Sequence, residues 1–99
     1  MIKCVYKKDK GNVCLTVNGH AGYAAYGQDI VCASVSILIE TLIARLLQLN
    51  AKLSYKKESG AVSVEMDGVT YDANEAFEFA VLGLRMLEVA YPKNVNIKA

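Results

Sequence analysis

Hydrophobic periodicity predicts an α+β fold, a mostly antiparallel sheet in the order ββαββα plus a short C-terminal β, with two helices packed on one face. Three observations carry this. Two pairs of alternating segments, each pair joined by a turn containing glycine, read as hairpins. Each hairpin is followed by a stretch whose apolar residues recur at helical spacing, so the chain roughly repeats a hairpin-plus-helix unit. A last short alternating segment follows the only proline.

Residues 1–8 alternate, with Ile2, Cys4 and Tyr6 on one face and Lys3, Val5 and Lys7 on the other. Asp9-Lys10-Gly11-Asn12 is a turn in which Gly11 and Asn12 accept positive φ. Val13, Leu15 and Val17 then alternate with Cys14, Thr16 and Asn18, which gives a hairpin with one apolar face and puts His20 at the end of its second strand. Residues 19–28 form a loop of small residues apart from Tyr23 and Tyr26. Asp29 precedes a sustained apolar pattern and suits a helix N-cap. Val31, Val35, Leu38, Leu42, Leu46 and Leu49 recur at helical spacing, Ile39 and Ile43 widen the stripe, and Asn50 suits the stop. Leu53 and Tyr55 begin a third strand, and Lys56-Lys57-Glu58-Ser59-Gly60 reads as a charged turn. Val62, Val64 and Met66 alternate with Ser63, Glu65 and Asp67, and Asp67-Gly68 closes the hairpin. Asp72 and Glu75 suit a capping-box-like start for the second helix. Ala76, Phe77, Ala80, Leu84 and Leu87 line its inner face, and Pro92 stops it. Val95 and Ile97 make the last strand.

Ninety-nine residues amount to one domain, 1–99, large enough for a core without staples. The apolar fraction of 54% opposes disorder and hints at a second buried surface such as a subunit contact. A net charge of +1 leaves no electrostatic footprint for a nucleic-acid binder. Residues 30–49 are apolar enough to raise the question of a membrane span, but Glu40 and Arg45 inside them argue for a buried helix and no membrane partner. An odd count of three cysteines, preceded by no signal peptide, fits a reduced cytoplasm.

Chemistry concentrates between Gly19 and Ser36. His20 is the only histidine, and Cys32 falls in the first turn of the first helix. The helix dipole and backbone N–H groups there favour a thiolate, and a nearby imidazole can take the thiol proton. Asp29 has two readings, a cap or a group orienting His20. Ser36 lies one turn past Cys32 on the same face, and an oxyanion hole can come from amides of the loop or of the helix start. By spacing alone, one histidine and one cysteine form a weak signal, and an inert half-buried thiol is the commoner case. Cys4 and Cys14 are read as structural sheet residues. No zinc-type spacing and no phosphate-cradling glycine motif is present.

The stretch GHAGYAAYGQDIVCASVS resembles the signature of the ribosomal-processing cysteine proteases, the Prp family: Gly-His-Ala, a glycine-rich loop, then Asp-Ile-Val-Cys-Ala-x-x-Ser. The resemblance extends over the whole chain in length and element order. It implies Cys32 as nucleophile and His20 as base, with Gly19, Asp29 and Ser36 at the family's other site positions. It also implies removal of the short N-terminal extension of a large-subunit ribosomal protein, cut after an aromatic pair. A cofactor-free, cytoplasmic homodimer is implied as well. Gly22 and Gly27 flank tyrosines beside the dyad, so the loop is expected to fold over the peptide with Tyr23 or Tyr26 stacking on it. Two other classes compete: a non-catalytic peptide-binding or ribosome-assembly module, and a thiol-redox protein, the latter opposed by the lack of CxxC.

Overall fold

The computed structural model describes residues 1–25 and 29–99. Its elements are β1 (Ile2–Asp9), β2 (Asn12–Asn18), α1 (Ile30–Gln48), β3 (Leu53–Glu58), β4 (Ala61–Met66), α2 (Tyr71–Ala90) and β5 (Val95–Lys98). The strands form one sheet in the order β3-β4-β2-β1-β5, antiparallel except where β5 lies parallel to β1. This is the α+β architecture that the periodicity predicts.

Register explains the core. Cys4 pairs with Val17 and Tyr6 with Leu15 across β1 and β2, while Leu15 pairs with Val64 and Val13 with Met66 across β2 and β4. Ile2 and Cys4 face Val95 and Ile97 in β5. All of these are buried, so every other residue across four strands builds one apolar face. Val31, Val35, Ile39, Leu42, Ile43 and Leu46 of α1 cover it, with Ala73, Phe77, Ala80, Val81 and Leu84 of α2. Among the described residues no polar or charged side chain is buried. By length and composition α1 could cross a membrane, with a mean hydropathy of 2.1. In the fold it packs against the sheet, and its Glu40 forms an ion pair with Lys57 of β3.

Three local readings need correction. Lys56, Lys57 and Glu58 belong to β3, not to a turn, and pair with Ser63, Val62 and Ala61. The turn is only Ser59-Gly60, with Gly60 at φ +73. An edge strand carries charged side chains because they guard its unpaired side, and in sequence such a strand looks like a polar turn. The second helix starts earlier than Asp72: Thr70 is its N-cap and accepts a hydrogen bond from Ala73 N at 3.3 Å. The earlier start adds Tyr71 and Asp72 to the helix, and Ala73, whose amide the Thr70 hydroxyl caps, is fully buried. In the first hairpin the positive-φ pair is Lys10 and Gly11, and Asn12 is already strand. Asn50, at φ +54, ends α1 as expected, with Asn50 N and Ala51 N donating to the carbonyls of Leu47 and Leu46.

Candidate active site

The site lies where β2 hands the chain to α1. Asp29 caps that helix, with Oδ1 accepting from Val31 N at 3.0 Å and Cys32 N at 2.9 Å. Cys32 is therefore the third helical residue, half-buried at the positive end of the dipole. The other carboxylate oxygen reaches back to the loop, accepting from Tyr23 N at 3.0 Å and Ala24 N at 3.4 Å. Of the two readings open to Asp29, the geometry is that of a cap, extended into a tie between loop and helix. These amides, Cys32 N first among them, hold its carboxyl below the usual carboxylate range.

Ala21 N points at the sulfur and donates to Cys32 Sγ at 3.3 Å. Its carbonyl is held by Asn94 Nδ2 at 2.9 Å, and Asn94 in turn accepts from Ile2 N through its own carbonyl at 2.8 Å. The amide that meets the thiol is thus located by a residue between α2 and β5. Nothing in the PKNVN stretch signals this by spacing, because Asn94 is remote from the loop in sequence.

Gly19, at φ +101, lies where a Cβ would collide with the carbonyl of Met1, so only glycine fits. His20 follows it, two residues beyond the end of β2, and is exposed. His20, Cys32, Ser36, Gly19 and Gly22 all line one cleft of about 710 Å³, opened between the first half of α1 and the β3–β4 turn. Val17, Val35, Ile39 and Val62 give it an apolar floor, and Glu40, Lys57 and Glu58 lie at its charged end. No hydrogen bond joins the imidazole to the sulfur among the described residues; the imidazole rests instead against Gly60 of the β3–β4 turn. Tyr23 is set edge-on to Tyr91 with ring centroids 5.4 Å apart, and is not among the described lining of the cleft. Tyr26 and Gly27 lie outside the described residues.

The other two thiols sit in the sheet. Cys4 is buried, and desolvation, then the nearby charge of Glu88, pushes it up to about 11. Cys14 is half-buried, and no cysteine is disulfide-bonded. Among the described residues no group of histidine, cysteine and carboxylate side chains could hold a metal ion.

Comparison with known proteins points one way. The fold superposes on the crystal structure of the ribosomal processing protease Prp from S. aureus with a covalently linked product peptide, at TM-score 0.90 and 23% identity over 99% of this chain and 98% of that one. The same S. aureus protease with a substrate peptide gives 0.85 and 22% over the same shares. SMU.848 from Streptococcus mutans gives 0.77 and 30% identity over 99% of this chain and 92% of that one. Comparison with curated proteins finds no match. The family described as cysteine protease Prp matches residues 1–96, from β1 into β5 and through the whole His20–Cys32 segment. The chain therefore belongs to the cysteine protease Prp family.

Proposed function

We propose that this protease removes the short N-terminal extension of a large-subunit ribosomal protein, cutting after a pair of aromatic residues, with Cys32 as nucleophile and His20 as base. The observation that carries the reading is the thiol at a capped helix start, opening on the same cleft as the chain's only histidine. The S. aureus protease has been crystallised both with a substrate peptide and with a product peptide covalently linked, which supports peptide cleavage through a covalent step.

In this mechanism His20 takes the Cys32 proton, and the thiolate attacks the carbonyl carbon of the second residue of the aromatic pair. The carbon–sulfur bond forms and the carbonyl oxygen becomes an oxyanion, held by backbone amides. Ala21 N–H already stands at the sulfur and lies close to where that charge develops. As the carbon–nitrogen bond breaks, the imidazolium gives its proton to the leaving amine. Water, giving a proton to His20, then cleaves the thioester and restores the thiol. This chemistry uses side chains, amides and water. The apolar floor of Val17, Val35, Ile39 and Val62 suits aromatic side chains. Ser36, one turn below Cys32, lines the cleft where a peptide would pass.

The protease is proposed to work in the cytoplasm, without nucleic-acid or membrane partners, as a homodimer. Supporting a dimer, Phe79, Leu82, Met86 and Val89 expose an apolar stripe on the outer face of α2. The deciding experiment incubates the extended ribosomal protein with wild-type enzyme and with Cys32→Ala, and weighs the products by mass spectrometry. Loss of the extension with wild type alone is expected. An intact substrate with active, iodoacetamide-reactive enzyme would refute the substrate assignment.

A further inference from the structure

We propose that Gly60, in the β3–β4 turn, is the positioning residue that fixes where the His20 imidazole stands; this rests on the reading of His20 as the base. Two contacts tie the segment to this one glycine. Gly60 O accepts from Gly19 N at 2.8 Å, which anchors the backbone immediately before His20. The imidazole edge then lies over the glycine's open face: a Cβ there would stand 2.9 Å from Nε2, 3.4 Å from Cε1 and 3.6 Å from Cδ2.

Turn geometry alone does not account for this. Gly11 and Gly68 also have positive φ, +83 and +66, and a Cβ on either would meet nothing within 4 Å. Of these glycines at hairpin ends, only Gly60 has a functional side chain resting on it. Carbon contacts settle near 3.5–4.0 Å, so a methyl at Gly60 moves the imidazole by roughly half an ångström or more. A terminal ring gives way at little cost in stability. It does so at the expense of alignment, where about 1 Å of misplacement can lower the rate by around a hundredfold. Gly60, His20 and Cys32 line the same cleft, so the displacement falls on the reacting groups themselves. The hairpin that sequence alone reads as a charged turn thereby becomes a wall of the site.

The test compares Gly60→Ala and Gly60→Asn with Gly11→Ala. Asn tolerates positive φ, so it adds the Cβ with less backbone strain. Gly11→Ala carries comparable strain with no imidazole beside it. The readouts are the rate of Cys32 alkylation by iodoacetamide as a function of pH, which does not depend on knowing the substrate, and kcat for the extended ribosomal protein. We expect both Gly60 variants to slow alkylation and kcat by about tenfold or more and to shift the pH profile, with KM changed less. Gly11→Ala should stay within about twofold of wild type despite a similar fall in Tm. A Gly60→Asn enzyme with wild-type rates and pH profile overturns the proposal. His20→Ala is run alongside. If it alkylates at the wild-type rate, the base assignment fails and the role of Gly60 fails with it. If it slows while the Gly60 variants match Gly11→Ala, the base stands and only the positioning role is lost.

Discussion

Asp29 serves two structures with one side chain: one oxygen caps α1 and the other gathers the amides of Tyr23 and Ala24. Asp29→Ala is expected to lower Tm by several degrees and to slow iodoacetamide alkylation of Cys32, since the thiol's helix start and its loop loosen together. Asp29→Asn, which keeps an acceptor, should fall between Ala and wild type; thermal melts and alkylation kinetics on the three proteins check the order. The sign with pH follows from its lowered pKa. The contribution is present above the ordinary value of 3.8 and is lost as pH falls through the lower folded value. Cys4 has the opposite sense. Its pKa rises from 9.0 to about 11 on folding, so the unfolded thiol ionises first and stability is lost between those values. Wild type should lose on the order of 2 kcal/mol more than Cys4→Val between pH 9 and 11, as read by urea unfolding at each pH. A buried thiol pushed upward also has little thiolate at neutral pH, which fits the structural role assigned to Cys4.

Among the elements, α1 and α2 meet at a glycine. A Cβ at Gly83 would stand 2.6 Å from Leu38 Cδ2 and 2.9 Å from Cδ1. Replacing glycine by alanine inside a helix otherwise gains about 1 kcal/mol, while overpacking costs about 1–3 kcal/mol. Gly83→Ala should therefore be net destabilising, by about 1 kcal/mol. Because the cost is steric, Gly83→Ala combined with Leu38→Ala should be more stable than the two single effects add up to, with coupling of at least about 0.5 kcal/mol in denaturant unfolding. The same two elements show how much can be read locally. Asp29 as N-cap, Asn50 as stop and the buried stripe of α1 follow from spacing within one or two turns. The β3 boundary did not, since Lys56, Lys57 and Glu58 are strand only because β4 pairs with them. The Thr70 cap is masked in the sequence because Asp72, two residues on, offers the same capping chemistry together with Glu75.

For the whole molecule, the helices shield one face of the sheet and leave their own outer side apolar. Phe79 is 76% exposed and Val89 82%. Between the helices runs a groove lined by Ile37, Phe79, Arg45, Asp72 and Glu75. Its opposed charges would complement one another in a second copy turned about a two-fold axis. If this face carries the proposed dimer, light scattering at micromolar concentration should give twice the 10.8 kDa chain, and Phe79→Asp should give the single-chain mass with the thermal transition retained. A single-chain mass for wild type would remove the dimer.

The parts of the site differ in the same way. Spacing and resemblance in the sequence pointed to His20, Cys32, Asp29, Ser36 and Gly19, and the fold gathers all five at one place. The remaining contacts have no local signal: Asn94 on the Ala21 carbonyl and Gly60 against the imidazole come from remote segments, and Ala21 N reaches the sulfur only once the loop is folded. The placement of Tyr23 on Tyr91 joins the loop to the end of α2 and is likewise invisible to any local pattern.

Alternation and helical period depend on neighbours two to four residues apart, so strands, helices and the capped thiol could be named from the order of residues alone. Contacts across the sheet depend on which strands become adjacent. The β3-β4-β2-β1-β5 order, with its parallel β5, is what carries both Gly60 and Asn94 to the residues on either side of His20. That order is selected by burying a shared apolar face, a property of the closed molecule that no single segment contains.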